Sequence, residues 1–148
     1  MALDAKIKEQ LNQYLTKIES PVSIDAYTNN EPASASMVDL LKELSGMSEK
    51  VSLNITNDGN ERAPSFKVNK PNELTGIQFA GIPMGHEFTS LVLALLQVGG
   101  YPVKITEEQI EQIKNIKGEF MFETYISLSC HNCPDVVQAL NVLSLLNP

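Results

Sequence analysis

The chain has 148 residues, 43% of them hydrophobic, which is enough for a compact unit with a real core. Its formal charge of −7, with only 11 Lys and Arg and no basic cluster, argues against a nucleic-acid backbone or an anionic membrane as partner. No apolar run approaches the roughly 20 residues of a bilayer span, and Met1-Ala2-Leu3-Asp4-Ala5-Lys6 reads as the start of an amphipathic helix and not as a secretion leader, so the expected address is cytoplasmic.

Residues 5–19 read as a helix, with Ile7, Leu11, Leu15 and Ile18 on one stripe. Val22, Ile24 and Ala26 alternate as a short strand, which Asn29-Asn30-Glu31-Pro32 ends. A second helix carries Met37, Leu40, Leu41 and Leu44 on one face and stops at Gly46. Val51, Leu53 and Ile55 alternate again, and Phe66/Val68 and Ile77/Phe79 predict two more strands.

Residues 87–98 are apolar on nearly every side beyond Ser90, which predicts a helix buried on several faces. Thr106 followed by Gln109 is a capping-box pattern. It opens a helix whose buried stripe is expected at Ile110, Ile113 and Ile116, with Gly118 closing it. Phe120, Phe122, Thr124, Ile126 and Leu128 alternate as a strand. Cys130-His131-Asn132-Cys133 follows directly, and a helix is predicted over 134–146.

The first seven elements have the order of a complete thioredoxin-like unit, a β-α-β half and then a β-β-α half. The last three repeat the opening of a second. The fold class expected is therefore α/β, with tandem thioredoxin-like units. Residues 1–104 form a first unit without redox cysteines. Residues 105–148 form the start of a second, as strand, C-x-x-C and helix. The repeat is one of element order only.

The chemistry of the chain lies in its two cysteines. A C-x-x-C between strand and helix brings two sulfurs within bridging reach. It also sets the first sulfur at a helix N-terminus, where free N–H groups and the helix dipole favour the thiolate. Cys130 is thus expected to be the nucleophile and Cys133, one turn deeper, the shielded resolving thiol. Structural zinc is the main rival, but it wants four ligands; beyond the cysteines only His86 and His131 are available, and His131 sits inside the motif, pointing elsewhere. An inert buried pair would serve no packing need.

His131 either tunes a neighbouring thiolate or is a solvent-exposed spacer. Glu87 heads the apolar helix. It either has a raised pKa and shuttles protons or simply caps that helix. Pro64 is either a cis-proline or an ordinary strand-start proline.

Two stretches carry a family resemblance: 79–96 (FAGIPMGHEFTSLVLALL) and 122–141 (FETYISLSCHNCPDVVQALN). Both resemble the N-terminal domain of the F component of bacterial alkyl hydroperoxide reductase, and the likeness runs over essentially the whole chain. The resemblance implies that Cys130 and Cys133 take electrons from a flavoprotein module similar to thioredoxin reductase. They then reduce the disulfide of a peroxiredoxin, the C component of alkyl hydroperoxide reductase. It also implies that the acidic residue at Glu87 assists the pair.

In that family the chain continues past position 148 into modules that bind FAD and NADH. No dinucleotide fingerprint occurs here, so no cofactor is expected in this chain. The sequence therefore reads as a part of a larger enzyme, and an unpaired strand at 120–128 suggests a homodimer. Two alternatives stay open: a stand-alone glutaredoxin-like protein-disulfide oxidoreductase, and a docking module whose cysteines are incidental.

Overall fold

The computed structural model describes residues 3–148; Met1 and Ala2, and with them the reading of the extreme N-terminus, lie outside the described residues. The elements in chain order are α1 (Ala5–Leu15), β1 (Val22–Tyr27), α2 (Pro32–Gly46), β2 (Val51–Thr56), β3 (Ser65–Asn69), β4 (Gln78–Ala80), a 3-10 turn (Gly85–Glu87), α3 (Phe88–Val98), α4 (Glu107–Lys114) and α5 (Cys133–Leu146). The sheet order is β2-β1-β3-β4, with β1 and β2 parallel and the other neighbours antiparallel. A parallel pair needs a crossover connection, and α2 supplies it.

Strand alternation sorts the two faces of the sheet. Val22, Ile24 and Ala26 of β1 stand beside Phe66 and Val68 of β3, and Phe66 stacks on Phe79 of β4 with ring centroids 5.3 Å apart. These residues join Leu11 and Leu15 of α1, Met37, Leu40, Leu41 and Leu44 of α2, and Leu91 and Leu95 of α3 in one buried cluster. Burial of this apolar surface is the main stabilising contribution, roughly 1.5–3 kcal/mol for each fully buried large aliphatic side chain. The opposite face is polar. There Asp25 accepts hydrogen bonds from Ser23 Oγ, Asn54 Nδ2 and Asn69 Nδ2 at 3.3, 3.0 and 2.8 Å. The peptide bond before Pro64 is cis.

The helix caps follow the local sequence. Asp4 accepts from the Ile7 N–H at 2.8 Å and starts α1. Thr106 and Gln109 form the reciprocal capping box at the head of α4, at 3.2 and 3.1 Å.

The structure corrects the sequence reading in two places. Residues 120–128 are not a strand; the segment forms no ladder, and Met121, Tyr125, Phe120 and Phe122 stand in solvent. Period-2 alternation sorts side chains between two faces, but a strand also needs a neighbouring edge to take its N–H and C=O groups. The sheet edges β2 and β4 are not paired with this segment. Helix α4 likewise has no fully buried residue, and Ile116 is 47% exposed, because no sheet lies under its apolar stripe. The α4 stripe instead borders an open cavity of about 890 Å³ together with Leu93 and Leu96 of α3 and Val142 and Leu143 of α5.

Candidate functional site

The redox pair is built at the start of α5. Cys130 closes the irregular segment, its N–H donating to Ser127 O at 3.0 Å. Asn132 is the N-cap residue without a side-chain cap bond, Cys133 is the first helical residue, and Pro134 sits where no intrahelical N–H is needed. Cys130 and Cys133 are disulfide-bonded with Cα atoms 5.5 Å apart, inside the normal bridging range. The Cys133 N–H donates to Cys130 Sγ at 3.2 Å. A first-turn N–H without a helical partner thus faces the sulfur expected to become the thiolate. Both cysteines are half-buried, so exposure does not separate them as the sequence reading expected; the N–H contact does.

The cysteine-free part of the chain approaches this loop through the turn Gly85–Glu87. Gly85 has φ +57°, and a Cβ there would lie 2.7 Å from the Leu128 carbonyl oxygen, so only glycine allows the two backbones to come this close. The next N–H, that of His86, donates to the same Leu128 oxygen at 3.0 Å. The His86 ring lies 4.6 Å from the His131 ring, tilted by 59°.

Glu87 then turns inward. It is 1% exposed, and neither carboxylate oxygen has a hydrogen-bond partner. Burial pushes its carboxyl above the usual carboxylate range, partly opposed by the adjacent His86. Glu87 occupies the N-cap position of α3, but its side chain makes no cap hydrogen bond, so helix capping does not account for it. The turn that carries Glu87 packs against α5.

Helix α5 is held along its length. Gln138 Nε2 donates to the fully buried Ser90 Oγ of α3 at 3.2 Å. Ser144 Oγ donates to Thr75 O, and Asn147 Nδ2 donates to the carbonyls of Ile113 and Ile116 at 2.8 and 2.9 Å. In the segment before the pair, Glu123 accepts from Arg62 at 2.7 Å and from the Tyr125 hydroxyl at 3.0 Å. These two bonds hold the Glu123 carboxyl below its usual range.

Sequence reasoning singled out Cys130, Cys133, Glu87, His86 and His131, and the structure brings all five to one end of α5. It missed Gly85, whose signal is a glycine just before the helix head, and the Ser90–Gln138 link. Ser90 was legible as the one polar residue on an otherwise apolar helix.

No family model matches the chain. Among curated proteins it is 54% identical over 146 residues to the F component of alkyl hydroperoxide reductase from Xanthomonas campestris pv. phaseoli, covering 99% of this chain and 28% of that protein. It is 55% identical over 148 residues to a Bacillus subtilis protein named NADH dehydrogenase, covering all of this chain and 29% of the relative. The chain thus spans less than a third of the length of these relatives.

Among solved structures, the N-terminal domain of the alkylhydroperoxide reductase AhpF from Enterococcus faecalis superposes with a TM-score of 0.86 at 26% identity, over 99% of this chain and 76% of that one. A protein disulfide oxidoreductase from Aeropyrum pernix superposes with a TM-score of 0.82 at 20% identity, over 97% and 68%, which shows the shared fold alone. The fold is thioredoxin-like, and in sequence and structure the chain belongs with the N-terminal region of the AhpF family of alkyl hydroperoxide reductases.

Proposed function

We propose that this chain is a dithiol–disulfide relay that reduces the disulfide of a peroxiredoxin, the C component of alkyl hydroperoxide reductase. The observation that carries the reading is the Cys133 N–H aimed at Cys130 Sγ, with the unpartnered Glu87 carboxylate buried in the turn packed against the same helix. Residues 1–104 act as the holding unit and 105–148 carry the pair. The relatives named for alkyl hydroperoxide reductase support this choice of partner.

In the reduced state the Cys130 thiolate attacks one sulfur of the partner disulfide. A mixed disulfide forms, and the other partner sulfur leaves as a thiolate. Cys133 gives up its proton and attacks Cys130 Sγ. The Cys130–Cys133 bond closes and the second partner sulfur leaves. Two electrons pass to the partner; the Cys133 proton, handed on by Glu87, protonates one of its thiolates and a proton from solvent the other, so that it ends as a dithiol. Glu87, ionised, takes the Cys133 proton; burial raises its pKa and so makes it a stronger base than an exposed carboxylate.

Re-reduction of the pair comes from a flavoprotein module that uses FAD and NADH, in the part of the relatives this chain does not match. No glycine-rich dinucleotide fingerprint in this chain offers a site for either cofactor. The place of work is the cytoplasm, where a reducing pool keeps such a pair cycling. No helix among the described residues is long and apolar enough to cross a membrane.

The test is stopped-flow mixing of the prereduced chain with oxidised peroxiredoxin. Stoichiometric appearance of peroxiredoxin thiols, lost in Cys130→Ser, is the expected result. No transfer from the prereduced chain, or equal transfer from Cys130→Ser, would overturn the reading.

A further inference from the structure

The contacts of His86 bracket the nucleophilic sulfur. Its main-chain N–H holds Leu128 O, two residues before Cys130, and its ring packs on His131, one residue after it. The main-chain contact is present whatever side chain stands at 86, because Gly85 supplies the close approach. The ring contact depends on the side chain.

We infer that His86 is a positioning residue: by packing its ring on His131 it holds the loop 128–131 in the closed geometry and so stabilises the Cys130–Cys133 disulfide against the dithiol. The inference rests on the relay reading only in taking the two cysteines as a reversible pair. Closing a disulfide inside one loop is an intramolecular step, so its equilibrium follows the effective concentration of one thiol at the other. A loop pinned on both sides of Cys130 keeps the Cα atoms at 5.5 Å; a loop pinned only at Leu128 samples wider separations. Two rings tilted at 59° with centroids 4.6 Å apart interact through ring faces and edges, and this needs an aromatic ring and not a charge.

The experiment is a glutathione redox titration of the wild-type chain, His86→Ala, His86→Phe, His131→Ala and the double variant His86→Ala/His131→Ala, with thiols counted by mass after alkylation. Thermal unfolding of each variant is recorded alongside. Loss of one tilted ring pair should move the equilibrium constant toward the dithiol by roughly three- to tenfold, which for a two-electron couple is at most about 30 mV. His86→Phe should stay close to wild type. The double variant should shift no further than the larger single, because both changes remove one contact. A merely structural role would lower the unfolding temperature and leave the constant alone.

An unchanged constant in His86→Ala, additive shifts in the double variant, or a His86→Phe that behaves like His86→Ala would each overturn the inference. If His86→Ala does not fold, His131→Ala and His86→Phe still decide it. The titration contains no peroxiredoxin, so a failed relay reading and a failed positioning role give different results.

Discussion

The main-chain N–H of Cys133 points at the sulfur of Cys130 across 3.2 Å, and no equivalent donor faces the Cys133 sulfur among the described residues. Because a free first-turn N–H favours the thiolate, the two cysteines should differ in role although both are half-buried. Iodoacetamide at neutral pH should alkylate Cys130 first in the reduced chain. Cys133→Ser should trap a mixed disulfide with a peroxiredoxin, and Cys130→Ser should trap little. Peptide mapping that found Cys133 modified faster would reverse the assignment.

Glu87→Gln is expected to slow disulfide exchange at neutral pH by at least about tenfold, since a positioned proton-transfer group typically contributes more than that. The chain should stay folded, because glutamine has nearly the same shape and no charge to bury. The same carboxyl also makes stability depend on pH. Its folded pKa is raised by burial, so the native state holds the proton more tightly than the unfolded chain. That stabilisation is fully present below the unfolded value, about 4.3, and is lost as pH rises through the folded one. Denaturant titrations should therefore show wild-type stability falling from about pH 4 upwards, and a flatter profile for Glu87→Gln. Equal exchange rates and equal profiles for the two proteins would remove Glu87 from the chemistry.

Gly85→Ala should loosen the redox loop more than any other single methyl addition nearby. Its Cβ would meet the Leu128 oxygen at 2.7 Å, and φ +57° is unfavourable for alanine by about 1–2 kcal/mol even in open space. A loss of roughly 2–3 kcal/mol in chemical denaturation is expected. Gly59→Ala is the control for the backbone part: it has φ +77° with nothing within 4 Å. Similar losses at both positions would show that the Leu128 approach contributes nothing.

Phe120, Met121, Phe122 and Tyr125 are exposed on a segment without strand partners, close in sequence to an open apolar cavity. Such a surface favours association. Sedimentation velocity across a hundredfold concentration range should show this chain self-associating, and Phe122→Lys should weaken the association without changing the disulfide. A monomer at every concentration would contradict this.

The sequence reading was most successful where one residue pattern has one physical outcome. The alternation of Val22, Ile24 and Ala26, the stripe of Met37, Leu40, Leu41 and Leu44, and the Thr106–Gln109 box all became the elements they imply, because each is settled by local geometry and one apolar face. The C-x-x-C at a helix start was legible for the same reason. The alternation at 120–128 misled because pairing is non-local: the pattern says which side chains would share a face, not whether the segment meets a sheet edge. The depth of Glu87 was not legible either. A glutamate at a helix head is ordinarily a cap, and only the approach of α5 against the turn Gly85–Glu87 shows why its carboxylate lies away from water.

Helix α5 is fastened at three depths: Gln138 to Ser90, Ser144 to Thr75, and Asn147 to Ile113 and Ile116. Links at its middle and far end restrain fraying there. The disulfide rides on the one end these three links do not reach. Amide exchange along α5 should accordingly be slower between Gln138 and Asn147, where the links lie, than in the first turn that carries the disulfide.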